Sequence, residues 1–169
     1  FLCEKYLKEV MKFKKIKYGN VTFDGYLDVP FDFKSHAANT ESHKVIINDT
    51  EATLKAIKEY GYVVVIMAIG EVVYNDKNRS FQKWHEEIKG GKSDYELKRI
   101  ERGALSRLRK TEFNLKELIF IKIDKETMKK CGSFQKDFRN ADGSPRKSKV
   151  LLDLEKLNKK EILKSIEFP

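Results

Sequence analysis

Apolar residues recur along this chain with two different periods, and the changes of period divide it into elements. Leu2, Tyr6, Val10 and Phe13 stand at helical spacing, so an amphipathic helix is expected to open the sequence, with Glu9 at the edge of its stripe. Lys12 to Tyr18 reads as extended chain, Gly19-Asn20 as a turn, and Val21 and Phe23 as the start of a second extended segment. The region from Asp28 to Phe33 begins or continues a third. Here the period is two: Leu27, Val29, Phe31 and Phe33 are expected on one face, Asp32 and Lys34 on the other. Ser35 to Asn39 is polar and loop-like, and Val45-Ile46-Ile47 is a short apolar run. Asn48 and Asp49 both suit the N-cap of a helix carrying Glu51, Leu54, Ile57 and Lys58 and ending at Gly61. Tyr62 to Ile69 is continuously apolar and rich in β-branched residues, the pattern of a strand buried on both faces. A helix leading straight into such a strand implies a crossover. The expected class is therefore α/β, with a mixed central sheet, an antiparallel meander first and a parallel strand after it, flanked by helices.

In the second half, Val72 to Tyr74 extends that strand or forms a short one. Phe81, Trp84, His85 and Ile88 predict a helix from Arg79 to Lys89, broken by Gly90-Gly91. Ser93 or Asp94 then caps a helix to Lys110, with Leu97, Ile100, Ala104, Leu105 and Leu108 inward and Lys98, Arg99, Arg102, Arg109 and Lys110 outward. Leu118 to Ile123 reads as a strand, Cys131 to Lys149 as a long loop, and Leu151 to Ile166 as a short strand or helix.

A length of 169 residues suits one domain, and 40% hydrophobic residues with 11% aromatics can build a core. The longest apolar run is too short to cross a bilayer and the N-terminus lacks a signal-peptide pattern, so no membrane partner and a cytoplasmic location are expected. Cys3 and Cys131 stand apart from other Cys or His residues, which argues against a disulfide framework or a structural zinc.

Charge changes the picture because it is uneven. Residues 1–76 hold 10 Lys and no Arg against 11 acids, whereas 77–169 hold 18 Lys and 7 Arg against 15 acids, so the net +9 arises in the second part. A solvated lysine-rich surface would give the same total. The confinement of every Arg to one part favours a polyanion-binding region, since a guanidinium fork matches phosphates and guanine edges.

The densest chemistry lies in Asp24-Gly25-Tyr26-Leu27-Asp28-Val29-Pro30-Phe31-Asp32-Phe33-Lys34. Acids held beside a lysine on an anchored strand are how a site for a hard divalent cation and an attacking water is built. An acid-x-Lys tripeptide is common, and Glu87-Ile-Lys89 and Glu96-Leu-Lys98 also occur here, but in helical patterns where residues two apart diverge. The bland alternative for Asp32 and Lys34 is a salt-bridged surface hairpin. The bend decides the first acid. A bend near Asp28-Val29-Pro30 sets Asp24 beside Asp32, whereas a turn at Asp24-Gly25 makes Asp28 the nearer partner. Trp84 reads as core and His85 as its polar neighbour, and Gly90-Gly91-Lys92-Ser93 lacks the spacing of a phosphate-binding loop.

The order of helix, three extended segments bearing Asp24 and Asp32-Phe33-Lys34, helix, and buried strand resembles the core of the PD-(D/E)XK nucleases over about residues 1–70. Asp24 follows Phe23 where that family has Pro, which leaves Asp24 and Asp28 as competitors. The resemblance implies a restriction-endonuclease-like fold and a single nuclease domain, with a catalytic core in 1–76 and DNA-recognition and completing elements in 77–169. It implies catalysis by Asp24, Asp32 and Lys34, and Mg²⁺ held by Asp24, Asp32 and the Phe33 carbonyl. The implied partners are double-stranded DNA and a second copy in a homodimer, as in a type II restriction endonuclease. DNA contacts would come from His36, Asn39, Lys92, Arg99, Arg102, Arg109, Lys110, Arg139, Asn140, Arg146 and Lys147. A structure-specific repair or junction nuclease and a non-catalytic nucleic-acid-binding module are the rival readings.

Overall fold

The computed structural model describes residues 22–88, 90–92, 94–103, 110–140 and 143–169. The expected opening helix with Glu9, the extended segment 12–18 and Arg109 lie outside the described residues. In chain order the elements are β1 (Gly25–Tyr26), β2 (Pro30–Ala37), β3 (Lys44–Asp49), α1 (Thr50–Tyr60), β4 (Val63–Val73), α2 (Ser80–Ile88), α3 (Asp94–Glu101), β5 (Glu112–Ile123), α4 (Lys125–Lys130), β6 (Gly132–Phe134), β7 (Lys149–Asp153) and β8 (Ile162–Glu167). The chain divides into two compact units, residues up to Gly70 with Leu115–Pro169, and Glu71–Asn114. The charge boundary at 76/77 does not coincide with that division.

The first unit is built on a five-stranded mixed sheet in the order β1-β2-β4-β5-β8. β1 and β2 are antiparallel, β2 and β4 are parallel with Asp32 opposite Val65 and Lys34 opposite Met67, and β5 and β8 are antiparallel. The crossover between the two parallel strands contains β3 and α1, as the step from helix to buried strand implied. The Val45-Ile46-Ile47 run, expected only as a short apolar stretch, lies in β3, a strand of a second, three-stranded sheet ordered β3-β7-β6. Val45 lies opposite Leu152, and the register slips between Ile46 and Asp49. Such a bulge places an extra residue in one strand and re-aims its side chains. Both sheets and α1 meet in one core of Val65, Met67, Ile121 and Ile123 from the first sheet, Ile47 and Leu152 from the second, and Ala56 and Ile57 from the helix.

Local chemistry explains the ends of α1. It begins after Asp49, the Thr53 hydroxyl donates to the Asp49 carbonyl at 2.8 Å, and it stops at Gly61, whose φ of 84° lets its N–H reach Ile57 O. The unpredicted α4 is started by Asp124, whose carboxylate accepts from the N–H groups of Glu126 and Thr127. Those bonds and Lys122 hold the Asp124 carboxyl down at about 2.

Several expectations are corrected. Leu27 is 67% exposed in the bend rather than on the apolar face, because three residues loop out between β1 and β2. The segment read as a loop from Cys131 to Lys149 contains β6 and a bridge between Arg139 and Pro145. In the Glu71–Asn114 unit, the helix expected to reach Lys110 is α3 to Glu101, then Arg102 and a left-handed Gly103. Trp84, expected in the core, is 51% exposed against Phe81, and Leu97 and Ile100, expected inward, are exposed. A unit of this size has little interior, and α2 and α3 turn buried Gln82 and Glu96 toward each other instead. Among the described residues, no helix is long and apolar enough to cross a membrane.

Candidate functional site

The bend between β1 and β2 falls at residues 27–29, where the Leu27 N–H donates to Val29 O at 3.2 Å. Gly25 lies opposite Phe31, so the chain before β1 carries Asp24 to Asp32. Asp28 sits exposed in the bend, and Asp24 is therefore the acid beside Asp32. The two are joined by backbone as well as by proximity. The Asp24 N–H donates to Asp32 Oδ1 at 3.2 Å, and the Phe33 N–H donates to Asp24 Oδ2 at 2.7 Å. In a strand a residue's N–H and C=O point to the same edge, so the Phe33 carbonyl also faces the Asp24 side.

Period two puts Asp32, Lys34 and His36 on one face of β2. Lys34 Nζ stands 3.6 Å from Asp32 Oδ2, with its side chain a quarter exposed while that of Asp32 is only 4% exposed. The lysine thus reaches from solvent to a carboxylate that solvent barely reaches. Burial, helped by the Asp24 charge, holds the Asp32 carboxyl up at about 6 against the downward pull of Lys34, the Asp24 N–H and Asn48. Desolvation outweighs the single ammonium, so this group has a strong demand for further positive charge.

Asn48 was not anticipated as a site residue. Its amide donates to Asp32 Oδ2 at 2.9 Å and to the Thr22 carbonyl, and its Oδ1 accepts from the Asp49 N–H at 2.7 Å. The last bond fixes which way the amide faces. The bulge in β3 is what turns a residue of the second sheet toward a carboxylate of the first. The dipeptide Asn48-Asp49 carries a visible signal only as a cap, and nothing in periodicity reports a bulge. Asp49 itself pairs with Lys149 and, at 3.8 Å, with Lys147, and the Thr50 N–H donates to Ser148 O. An open cavity of about 710 Å³ borders this junction, its lining including Tyr26, Lys55, Glu59, Tyr60, Arg146 and Lys147.

The expected DNA-binding residues are scattered by comparison. His36 is buried, its Nε2 3.2 Å from Nδ1 of His43, so it points into the fold and not outward. Asn39 is exposed beyond the end of β2. Arg139, Asn140 and Arg146 are exposed and tied to one another's turn, Arg139 through Gly143 O and Arg146 through Asn140 Oδ1. In the Glu71–Asn114 unit, Lys92 pairs with Glu86 at 2.6 Å, Arg102 donates to the Lys98 carbonyl, Arg99 is half-buried and Lys110 is exposed.

Asp24, Asp32 and the Phe33 carbonyl are hard oxygen donors of the kind a small divalent cation takes, and Mg²⁺ is commonly held by only one or two carboxylates. The uncompensated charge at Asp32 fits such an ion. Among the described residues, no three His, Cys, Asp or Glu side chains are grouped to hold a metal. Comparison with known proteins finds no family model, no curated protein and no solved structure that matches this chain.

Proposed function

We propose that the chain is a Mg²⁺-dependent endodeoxyribonuclease with a restriction-endonuclease-like core, hydrolysing phosphodiester bonds of double-stranded DNA. The observation that carries this reading is the meeting of Asp24, Asp32 and Lys34 where the end of β1 faces β2, with a buried carboxylate short of positive charge. The parallel pairing of β2 and β4 across α1 is consistent with it.

Bound Mg²⁺ would polarise the scissile phosphate and activate water. Asp24 and Asp32 would hold the ion, with the Phe33 carbonyl. Lys34, on the same face of the strand as Asp32, would orient a water and stabilise charge developing on the phosphate oxygens. Asp32 must be ionised to act as a ligand, which favours activity above the pH at which its buried carboxyl loses its proton. A two-fold homodimer on a two-fold target belongs to the restriction-enzyme form of the proposal.

Plasmid DNA incubated with and without Mg²⁺ and read on a gel tests the proposal. Discrete fragments support a sequence-specific enzyme, and cleavage confined to branched or mismatched duplexes supports a repair or junction nuclease. The hydrogen bonds accepted by Asp24 and Asp32 favour a second reading, in which the pair joins strands and the chain is a non-catalytic nucleic-acid-binding module. That reading gains if no Mg²⁺-dependent product forms on any DNA while binding remains salt-sensitive.

A further inference from the structure

We propose that Phe138, flanked by Arg139 and Arg146, is a wedge that enters duplex DNA and unstacks a base step while the two guanidinium groups grip phosphates. The proposal rests on reading the chain as a DNA-binding protein and names how it holds its substrate. The segment was expected to be a long irregular loop. Its described residues are instead cross-tied: Arg139 bridges Pro145, the Arg146 N–H donates to Phe138 O at 2.8 Å, and the Asn140 N–H donates to Ser144 O at 2.8 Å.

Side chains add a second set of ties. Arg139 Nη1 donates to Gly143 O at 2.8 Å, Asn140 Nδ2 to Ser144 Oγ at 3.0 Å, and Arg146 Nε to Asn140 Oδ1 at 3.2 Å. Each of the two arginine bonds engages one N–H of a fork that has five, which orients the guanidinium and leaves donors for a bidentate acceptor. Just before this segment, Gln135 and Asp137 both adopt left-handed backbone, with φ of 61° and 68°. Neither is glycine, so the chain holds strain there, of a kind that persists where surrounding structure over-determines a conformation.

What this conformation presents is an aromatic ring in water. Phe138 is 58% exposed, more than any other aromatic side chain among the exposed hydrophobics of the described residues. Its surroundings favour one occupant. Lys136, Arg139, Arg146 and Lys147 lie within nine residues of it, all exposed, and outnumber the one exposed acid among the described residues there, Asp137. A protein surface that covered Phe138 would have to bury these charges, whereas DNA offers a phosphate for each and an apolar base stack for the ring. Proteins that kink DNA insert apolar wedges between base steps and secure the bent duplex with Arg and Lys on its backbone. The ties among its described residues reduce the entropy loss that an untied loop would suffer on binding.

The test is binding to a labelled 40-base-pair duplex of random sequence, in EDTA so that cleavage is not read. Anisotropy is measured across a salt series, with permanganate probing of unstacked thymines in plasmid DNA. Wild-type protein is expected to bind and to create permanganate-reactive thymines. Phe138→Ala should bind roughly ten-fold more weakly or worse and lose the reactive thymines, while Phe138→Trp keeps both. Arg139→Ala/Arg146→Ala should reduce the slope of log affinity against log salt by about 2. Phe138 is exposed, so melting temperatures should match wild type and exclude a folding defect. Absence of DNA binding by wild type, or Phe138→Ala behaving as wild type in both assays, overturns the proposal. If Phe138-dependent binding persists but Mg²⁺ never yields product, the nuclease reading fails and this one stands.

Discussion

Two polar regions of the first unit handle charge in opposite ways. Around Asp32 a carboxylate is buried between two sheets, held by Asp24, Lys34 and Asn48, and its charge is only partly met. Around Arg139 and Arg146 the charges stand in water, and the hydrogen bonds orient the groups without desolvating them. A buried, under-compensated charge destabilises the empty protein and gains stability from whatever completes it, whereas exposed charges cost little and bind weakly one by one. On the proposed reading, the first region would serve chemistry at one point and the second contact along a polymer.

Substitutions should separate the regions most sharply in cleavage. Lys34→Ala is expected to reduce Mg²⁺-dependent plasmid cleavage on the order of 10²-fold or more, with DNA affinity near wild type, because in the proposed mechanism the ammonium would act on developing charge. Full cleavage by Lys34→Ala would remove the residue from the site. Asn48→Ala leaves Asp32 Oδ2 with one donor fewer, and urea unfolding should show a loss of about 1–3 kcal/mol. The same experiment on Asn140→Ala should show a change within about 0.5 kcal/mol, since that site is exposed; equal losses at both positions would erase the contrast.

Acid should sharpen it further. The folded Asp32 carboxyl, at about 6, lies above its ordinary value of 3.8, so its contribution to stability is fully present below 3.8 and is lost as pH rises through 6. In EDTA, stability is expected to rise by about 1 kcal/mol between pH 7.5 and pH 5. Asp124, held down at about 2, works in the other direction, and its contribution is lost only as pH falls below the ordinary carboxylate range. Saturating Mg²⁺ should raise the melting temperature at pH 7.5 and remove the gain at pH 5, and a flat pH profile with no response to Mg²⁺ would contradict an unmet charge at Asp32.

Much of this was legible without coordinates where the signal was local. The apolar run from Tyr62 to Ile69 became β4, the capped pattern before Gly61 became α1, and their succession implied a crossover to a parallel strand, whose partner the structure shows to be β2. The alternation of Asp32 and Lys34 placed them on one face. The position of the bend was open, because Asp24-Gly25 and Asp28-Val29-Pro30 both carry turn chemistry. Only the pairing of Gly25 with Phe31 put Asp24 beside Asp32 and Asp28 in water.

What the sequence by itself determined was the set of elements and the charges they carry, because helical and strand periods and turn residues act over a few neighbours. What tertiary structure alone decided was which groups meet. Asn48 reaches Asp32 across 16 positions through a bulge in another sheet, and Phe138 is lifted into solvent by left-handed residues beside it. Such contacts depend on register and backbone handedness summed over distant strands, and no local pattern of polar and apolar residues records them.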